Sequence, residues 1–305
     1  MNVRSAIAPG EPVGGALREI AAGAVAAAQA ILDDPERDAT TKVHDIRRAL
    51  KRWRALLRLL EPVLGEAGRA LRMQARDLAR RLTVARDAQS AIDALNDSIE
   101  ACEGLPIALP KKSIETIHSR MQALKAENER NIWTDEIQTD LSNYLTAAAW
   151  QVSHWDMDGV SVDDLAGMLA NTYRRARRSI PADWANPDPE DLHELRRRVV
   201  EHRYQMELVE PLWPRLGKVW VDEAQRLRTR LGKVQDLEML TAKAGPHQPL
   251  AHWRSRLTPM IAYRQDQHIR AARKIATRLF AETPKGFRKR LVALWEAQSG
   301  DGEEE

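Results

Sequence analysis

The chain has 305 residues, of which 43% are hydrophobic and 30% charged, with 47 Lys+Arg against 44 Asp+Glu for a net charge of +3. This length allows one large domain or two of about 150 residues, and the composition supports a packed core rather than disorder. The single cysteine, Cys102, excludes a disulfide framework and a cysteine-based zinc site, and the 5% aromatic content with few β-branched runs argues against a sheet protein.

The first predicted helix covers residues 14–33. Its Ala-rich stretch, 21–31, is too short to span a bilayer, and no basic-then-apolar leader precedes it. A cytoplasmic protein with no membrane partner is expected. After a break at Asp33-Asp34-Pro35, a helix over 40–61 carries a sign-pure stripe. At about 100° per residue, His44, Arg47, Lys51, Arg54 and Arg58 fall within about 80° of one another, along roughly 21 Å of helix. Ile46, Leu50, Trp53, Leu57 and Leu60 occupy the far side. A solvated face normally mixes signs to form i,i+4 pairs. A row without an acid repels itself unless an anion neutralises it. The break at Glu61-Pro62 leads to a helix over 63–102, where Arg69, Arg72, Arg76, Arg80 and Asp87 share a second stripe within about 80°.

Further helices are predicted over 111–152, 162–180, 188–210, 215–243 and 249–282, with a short tail helix at 285–297. Gly104-Leu105-Pro106, Asp158-Gly159, Pro181 to Pro189, Gly245-Pro246 and Pro284 separate them. The helix at 162–180 bears Arg174, Arg175, Arg177 and Arg178. The next carries His193, Arg196, Arg197 and Arg203. Charge is uneven along the chain: 13 basic and 4 acidic residues over 40–86, 5 and 15 over 87–171, 26 and 14 over 172–290. Arg outnumbers Lys by 36 to 11, and its planar fork suits phosphate oxygens.

The chain also repeats itself. Val43-His44-Asp45-Ile46-Arg47 matches Leu192-His193-Glu194-Leu195-Arg196 at a shift of 149. The same shift carries Arg54 to Arg203, Arg81-Leu82 to Arg230-Leu231 and Asp87 to Asp236. The expectation is an all-α fold made by tandem duplication, with two four-helix bundles over 14–152 and 160–297 related by a pseudo-twofold axis. Asp87 and Asp236 read as structural residues that orient an Arg or His across a helix interface. Val200 replaces Lys51 in the second row, which is one charge short.

His-x-x-Arg-x-x-x-Lys-x-x-Arg with Arg-Leu-x-x-x-Arg-Asp, followed by His-x-x-Arg-x-x-x-x-x-x-Arg-Tyr with Leu-Gly-x-x-x-Asp, resembles the CHAD family over roughly residues 14–282. The resemblance implies a helical domain with a basic central channel that binds inorganic polyphosphate, and association with polyphosphate granules and their other proteins in bacteria. It implies His44, Arg47, Lys51 and Arg54 as ligands in the first half, and His193, Arg196 and Arg203 in the second. Arg58, Arg72, Arg76, Arg80, Arg174, Arg177, Arg178 and Arg197 extend the set of expected polyphosphate-binding residues. Thr83 departs from the Leu-Gly motif that Gly232 keeps. A stand-alone domain is expected, without the triphosphate-tunnel (CYTH-type) domain that many relatives carry.

Catalysis, a cofactor and a metal site are not expected. His44-Asp45 is the dipeptide of HD-type metal-dependent phosphohydrolases, but those sites need a further His upstream and His44 is the first in the chain. Nucleic-acid binding is the alternative, since basic blocks suit any phosphate backbone. Base stacking would want exposed aromatics among the arginines, and Trp53 lies on the apolar face.

Overall fold

Several helices begin at a residue whose side chain holds a free amide of the first turn. Asp38 accepts from Thr41 N at 3.0 Å, Asp188 from Glu190 N at 2.8 Å, and Thr283 from Gly286 N at 3.1 Å. Ser161 and Asp164 form a reciprocal capping box. The computed structural model describes residues 4–82, 84–129 and 133–300, with the side chains of 84–88, 127–129, 299 and 300 outside that description. Among the described residues the fold is all-α: α1 (Val13–Asp33), α2 (Ala39–Arg81), α3 (Val84–Ala101), α4 (Lys111–Glu129), α5 (Asp135–Ser153), α6 (Val162–Arg178), α7 (Pro189–Met206), α8 (Pro214–Lys243), α9 (Arg254–Leu279) and α10 (Pro284–Gly300), with short 3₁₀ turns before α8 and α9.

Three boundaries differ from the sequence reading. The helix expected over 111–152 is two helices, because Thr134 caps a new start by accepting from Ile137 N. The break expected at Glu61-Pro62 falls three residues later. Gly65 adopts φ 57° and ψ −138°, a conformation closed to residues with a Cβ, and there α2 folds back on itself. The helix expected over 63–102 is interrupted between Arg81 and Val84. Shifted by 149 residues, the start of α1 falls on the start of α6, and that of α5 on that of α10.

The buried apolar side chains gather in two clusters, and each draws on both 14–152 and 160–297. One large core joins α1, α2, α5, α6, α7 and α10 with parts of α8 and α9. A smaller one is shared by α3 and α4 from the first half and by the ends of α8 and α9 that face them in the second. Helices from both halves bury faces against each other. The smaller core is tied at its edge by Asp97, which accepts two bonds from Arg264 at 2.9 Å and lies 2.7 Å from the buried His268. α1 is 21 residues long, more than the Ala-rich stretch suggested, and apolar enough by length and composition to cross a bilayer. In the fold its Leu17, Ile20 and Val25 are buried in the large core, where α1 packs on α2 and α5.

His202 sits deep in that core, 1% exposed, against Tyr173, Phe280 and Phe287, with no hydrogen-bond partner for either ring nitrogen among the described residues. Burial pushes its pKa down to about 4, whereas an unfolded histidine titrates near 6.5 (about the model-peptide value). As pH falls from about 6.5 towards 4, the unfolded chain takes up this proton and the fold does not, so stability is lost across that window and no further below it. The loss approaches roughly 3 kcal/mol. In urea unfolding between pH 7 and pH 5, His202→Phe is expected to lose less stability than the parent chain. Equal losses would mean that His202 does not carry the effect.

Candidate anion-binding site

The apolar side of α2 sets where its charges point. Trp53 Nε1 donates to Tyr144 OH at 2.7 Å, and that hydroxyl donates to Leu71 O at 3.0 Å, so one buried chain of bonds links both arms of α2 to α5. Trp53 also stacks on Trp155, with centroids 6.0 Å apart. With Ile46, Leu50, Leu57 and Leu60 buried on the same side, Arg54 and Arg58 are turned towards α7. The fold at Gly65 then brings the second arm alongside the first. In a straight helix Arg54 and Arg76 would stand about 33 Å apart. Here they are close enough that Arg76 disfavours the charge on Arg54.

The result is a cluster at the junction of α2, α6 and α7. Burial lowers the pKa of Arg54 from the ordinary guanidinium value; Glu201 opposes this, while Arg72, Arg76 and Arg197 add to it. Burial likewise lowers the pKa of Arg72, with Arg58 and Arg69 adding to it against Glu61 and Glu201. Arg175 from α6 is lowered by burial first, then by Arg58 and Arg198. The acids that enter the cluster are few. Glu61 accepts from Arg58 at 3.0 Å, Glu201 accepts from Arg198 at 3.0 Å, Glu194 holds Arg197 and Arg198, and Asp77 accepts from Arg76 at 3.0 Å. The Nε atoms of Arg54 and Arg72 are buried with no acceptor among the described residues. The eight guanidiniums named here, against these four carboxylates, leave a local excess of positive charge.

Across the α2–α7 contact the ion pairs are reciprocal under the 149-residue shift. Arg52 pairs with Glu207, and Arg58 lies 3.9 Å from Glu201, where 52 corresponds to 201 and 58 to 207. This is the i-to-j and j-to-i pattern of a twofold contact, with the charges exchanged between halves. Beside it, Gln205 donates to Ala55 O at 3.0 Å. The two arginine rows are not equally free. Arg203, the counterpart of Arg54, bonds Glu207 at 2.8 Å and Gln225 at 3.3 Å, and lies over the Tyr204 ring at 4.4 Å. Gln225 stands where the first half has Arg76. Arg196 donates to Gln235 at 2.6 Å and lies over Gly232, where a Cβ would sit 3.5 Å from its Nε.

The remaining expected residues are spread more widely. His44 is 72% exposed, 3.1 Å from Asp45 Oδ1, and both His44 and His193 stand near the starts of their helices, about 15 Å along from Arg54 and Arg203. Arg47 donates to Leu82 O, Lys51 is half-buried, and Arg80 is exposed, 3.8 Å from Asp77. Arg174 and Arg178 are exposed, while Arg177 donates to Phe280 O at 3.1 Å. Val200 and Asp236 are half-buried. Thr83 and the side chain of Asp87 lie outside the described residues. The expected sign-pure row is corrected in three dimensions: Glu61 and Glu201 enter it from the end of the stripe and from the facing helix. Arg175, Arg198 and Arg52 join the cluster although the sequence pattern had not singled them out as ligands. Arg175 follows the buried Thr172 by three residues, the one sign that it faces inward. Among the described residues no three His, Cys, Asp or Glu side chains gather as a metal site. A groove of about 630 Å³ between α1 and α5, lined by Ala22, Val25, Leu145 and Val152, is apolar and holds none of these arginines.

The family description "CHAD domain" matches residues 16–245, three quarters of the chain. The chain belongs to the CHAD family. Its fold is similar to the crystal structure of the CHAD domain from the plant Ricinus communis, at 16% identity and a TM-score of 0.60, over 90% of this chain and 96% of that one. At that identity the likeness concerns the fold alone. No curated protein matches the chain. CHAD domains are in general non-catalytic binding domains.

Glu207 is 14% exposed between Arg52, 42% exposed, and Arg203, 17% exposed, so removing its charge takes the carboxylate partner from a part-buried Arg203 that keeps Gln225 and Tyr204. Glu207→Gln is expected to cost about 1–2 kcal/mol in urea unfolding, the scale of one charge-assisted bond to a part-buried group. Glu66→Gln, at an 85% exposed residue, should cost less than about 0.5 kcal/mol. Equal costs would contradict a structural role for the reciprocal pairs.

Proposed function

We propose that this CHAD domain binds inorganic polyphosphate at the arginine cluster between α2, α6 and α7, without catalysing a reaction on it. The observation that carries the reading is the excess of part-buried guanidiniums around Arg54 and Arg72, whose own chain supplies too few acids to neutralise them. CHAD domains are linked to polyphosphate binding, and a linear polyanion with about one charge per phosphate has the form such a cluster can take. Arginine forks from three helices would each take a phosphate and release its condensed counterions. The expected basic channel would run from His44 and His193 at its outer ends past this cluster. A cytoplasmic location on polyphosphate granules, with other granule proteins as partners, goes with the same reading.

The asymmetry of the two rows refines the expectation drawn from Val200. Arg203 and Arg196 are held by Glu207, Gln225 and Gln235, whereas Arg54 faces three arginines, Arg72, Arg76 and Arg197, against the single carboxylate of Glu201. The first half should therefore dominate binding.

Two outcomes follow in one binding assay with long-chain polyphosphate. Apparent affinity should fall by orders of magnitude over a few-fold rise in salt, linearly on a log–log scale. At fixed salt, Arg54→Ala with Arg76→Ala should weaken binding at least about a hundredfold, from two charge-assisted contacts of roughly 1.5–3 kcal/mol each. Arg196→Ala with Arg203→Ala should weaken it less. Salt-independent binding, or equal losses from the two pairs, would count against the site. Duplex DNA as a competitor tests the nucleic-acid alternative, which requires DNA to displace polyphosphate at comparable charge concentration.

A further inference from the structure

Two of the arginines proposed to meet the ligand are already occupied by the protein itself. Glu61 Oε2 accepts from Arg58 Nη1 at 3.0 Å and lies 3.3 Å from Arg72 Nη2, while its Oε1 accepts from Arg69 Nε at 3.2 Å. Glu201 Oε2 accepts from Arg198 Nη1 at 3.0 Å, and its Oε1 lies 3.9 Å from Arg58 Nε. Arg58 thus hydrogen-bonds Glu61 and lies within ion-pair range of Glu201, its Nε finding no hydrogen-bond acceptor among the described residues. Both acids are less than a fifth exposed, 19% and 18%. Each sits among two or three guanidiniums, which is how these forks would hold the oxygens of a bound phosphate. Around this centre stand Arg54, whose charge Glu201 favours, Arg76, which pairs with the exposed Asp77, and Arg197, which pairs with Glu194; neither Glu61 nor Glu201 is hydrogen-bonded to them among the described residues.

We propose that Glu61 and Glu201 are specificity-determining residues: internal anions that keep the guanidiniums gathered and that a ligand must displace, so that the site admits polyanions and rejects short anions. The proposal rests on the polyphosphate reading and deepens it. A short anion entering the centre exchanges one carboxylate contact for one phosphate contact of similar chemistry and gains little. A long chain makes the same exchange and also engages Arg54, Arg76 and Arg197, and those contacts are intramolecular once the first is made. The carboxylates also lower the repulsion among the arginines when no ligand is bound. That lets the cluster persist in the free protein.

The test compares the full chain with Glu61→Gln and Glu201→Gln, and with Glu66→Gln as control. Glu66 lies 3.0 Å from Arg69 but is 85% exposed. Tripolyphosphate and long-chain polyphosphate are titrated calorimetrically across a salt series. Freeing Arg58 and its neighbours should raise tripolyphosphate affinity by about tenfold, the scale of one charge-assisted bond. It should raise long-chain affinity by a smaller factor. The log–log salt slope for tripolyphosphate should steepen by about one contact. Glu66→Gln should change affinity by less than about twofold, with its slope unchanged.

Equal gains from Glu61→Gln, Glu201→Gln and Glu66→Gln, or equal gains for both ligands without a change of slope, would reduce the effect to general charge and overturn the proposal. Unfolding curves verify that each variant is folded. If Glu61→Gln does not fold, Glu201→Gln decides alone. A parent chain that binds polyphosphate while both variants behave like it sinks this proposal only. If neither parent nor variants bind either ligand, the function falls and the proposal with it.

Discussion

Like-charged guanidiniums pressed together at the α2–α7 contact are the constraint on which the rest of this structure turns. Two unit charges about 4 Å apart repel by roughly 4 kcal/mol at the effective dielectric of a protein surface. Arg54, Arg72, Arg76 and Arg197 remain together because apolar packing fixes the helices that carry them, while Glu61 and Glu201 offset part of the repulsion. The Trp53–Tyr144–Leu71 bonds and the buried leucines of α2 fix the rotation of both its arms. The reversal at Gly65 fixes their separation. The hydrophobic core thus holds an electrostatically unfavourable arrangement in place, as binding sites commonly require.

The two halves handle this burden differently. In the second half, glutamate and glutamine side chains have taken up the bonds of Arg203 and Arg196, and an apolar valine stands where the first half has Lys51. In the first half, Arg76 occupies the place of Gln225. The exchanged pairs Arg52–Glu207 and Arg58–Glu201 lock the halves together without closing the first row. One half supplies more of the scaffold and the other more of the charge.

Much of this was legible in the sequence. The stripe from His44 to Arg58 and its apolar reverse follow from the 3.6-residue period, and the shift of 149 pairs the rows before any contact is known. The family resemblance rested on those same residues, and the family match agrees with it. What periodicity could not carry was contact between helices. Glu61 belongs to the break after the stripe, and Glu201 to the facing helix, so a row read from one helix looked free of acids. Arg175 was one of four adjacent arginines, and its choice over Arg174, Arg177 and Arg178 depends on which side of α6 meets α7. The start of α5 was marked by Thr134-Asp135-Glu136, a cap with an acidic first turn, hidden inside a long helix-compatible run. The mixing of the halves in the smaller core rests on long-range burial of α3 against α8, which no local pattern signals.

If the cluster is held against its own repulsion, an external polyanion should relieve it and stabilise the fold. The most direct measurement is the thermal unfolding midpoint of the full chain at constant ionic strength, with and without saturating long-chain polyphosphate. It is repeated for Arg54→Gln. Ligand that binds only the folded state raises stability by about 2.7 kcal/mol at a hundred times its dissociation constant. The account predicts a clear rise in the midpoint for the parent chain and a much smaller one for Arg54→Gln. A midpoint that polyphosphate leaves unchanged, or one that it raises equally in both proteins, would contradict it.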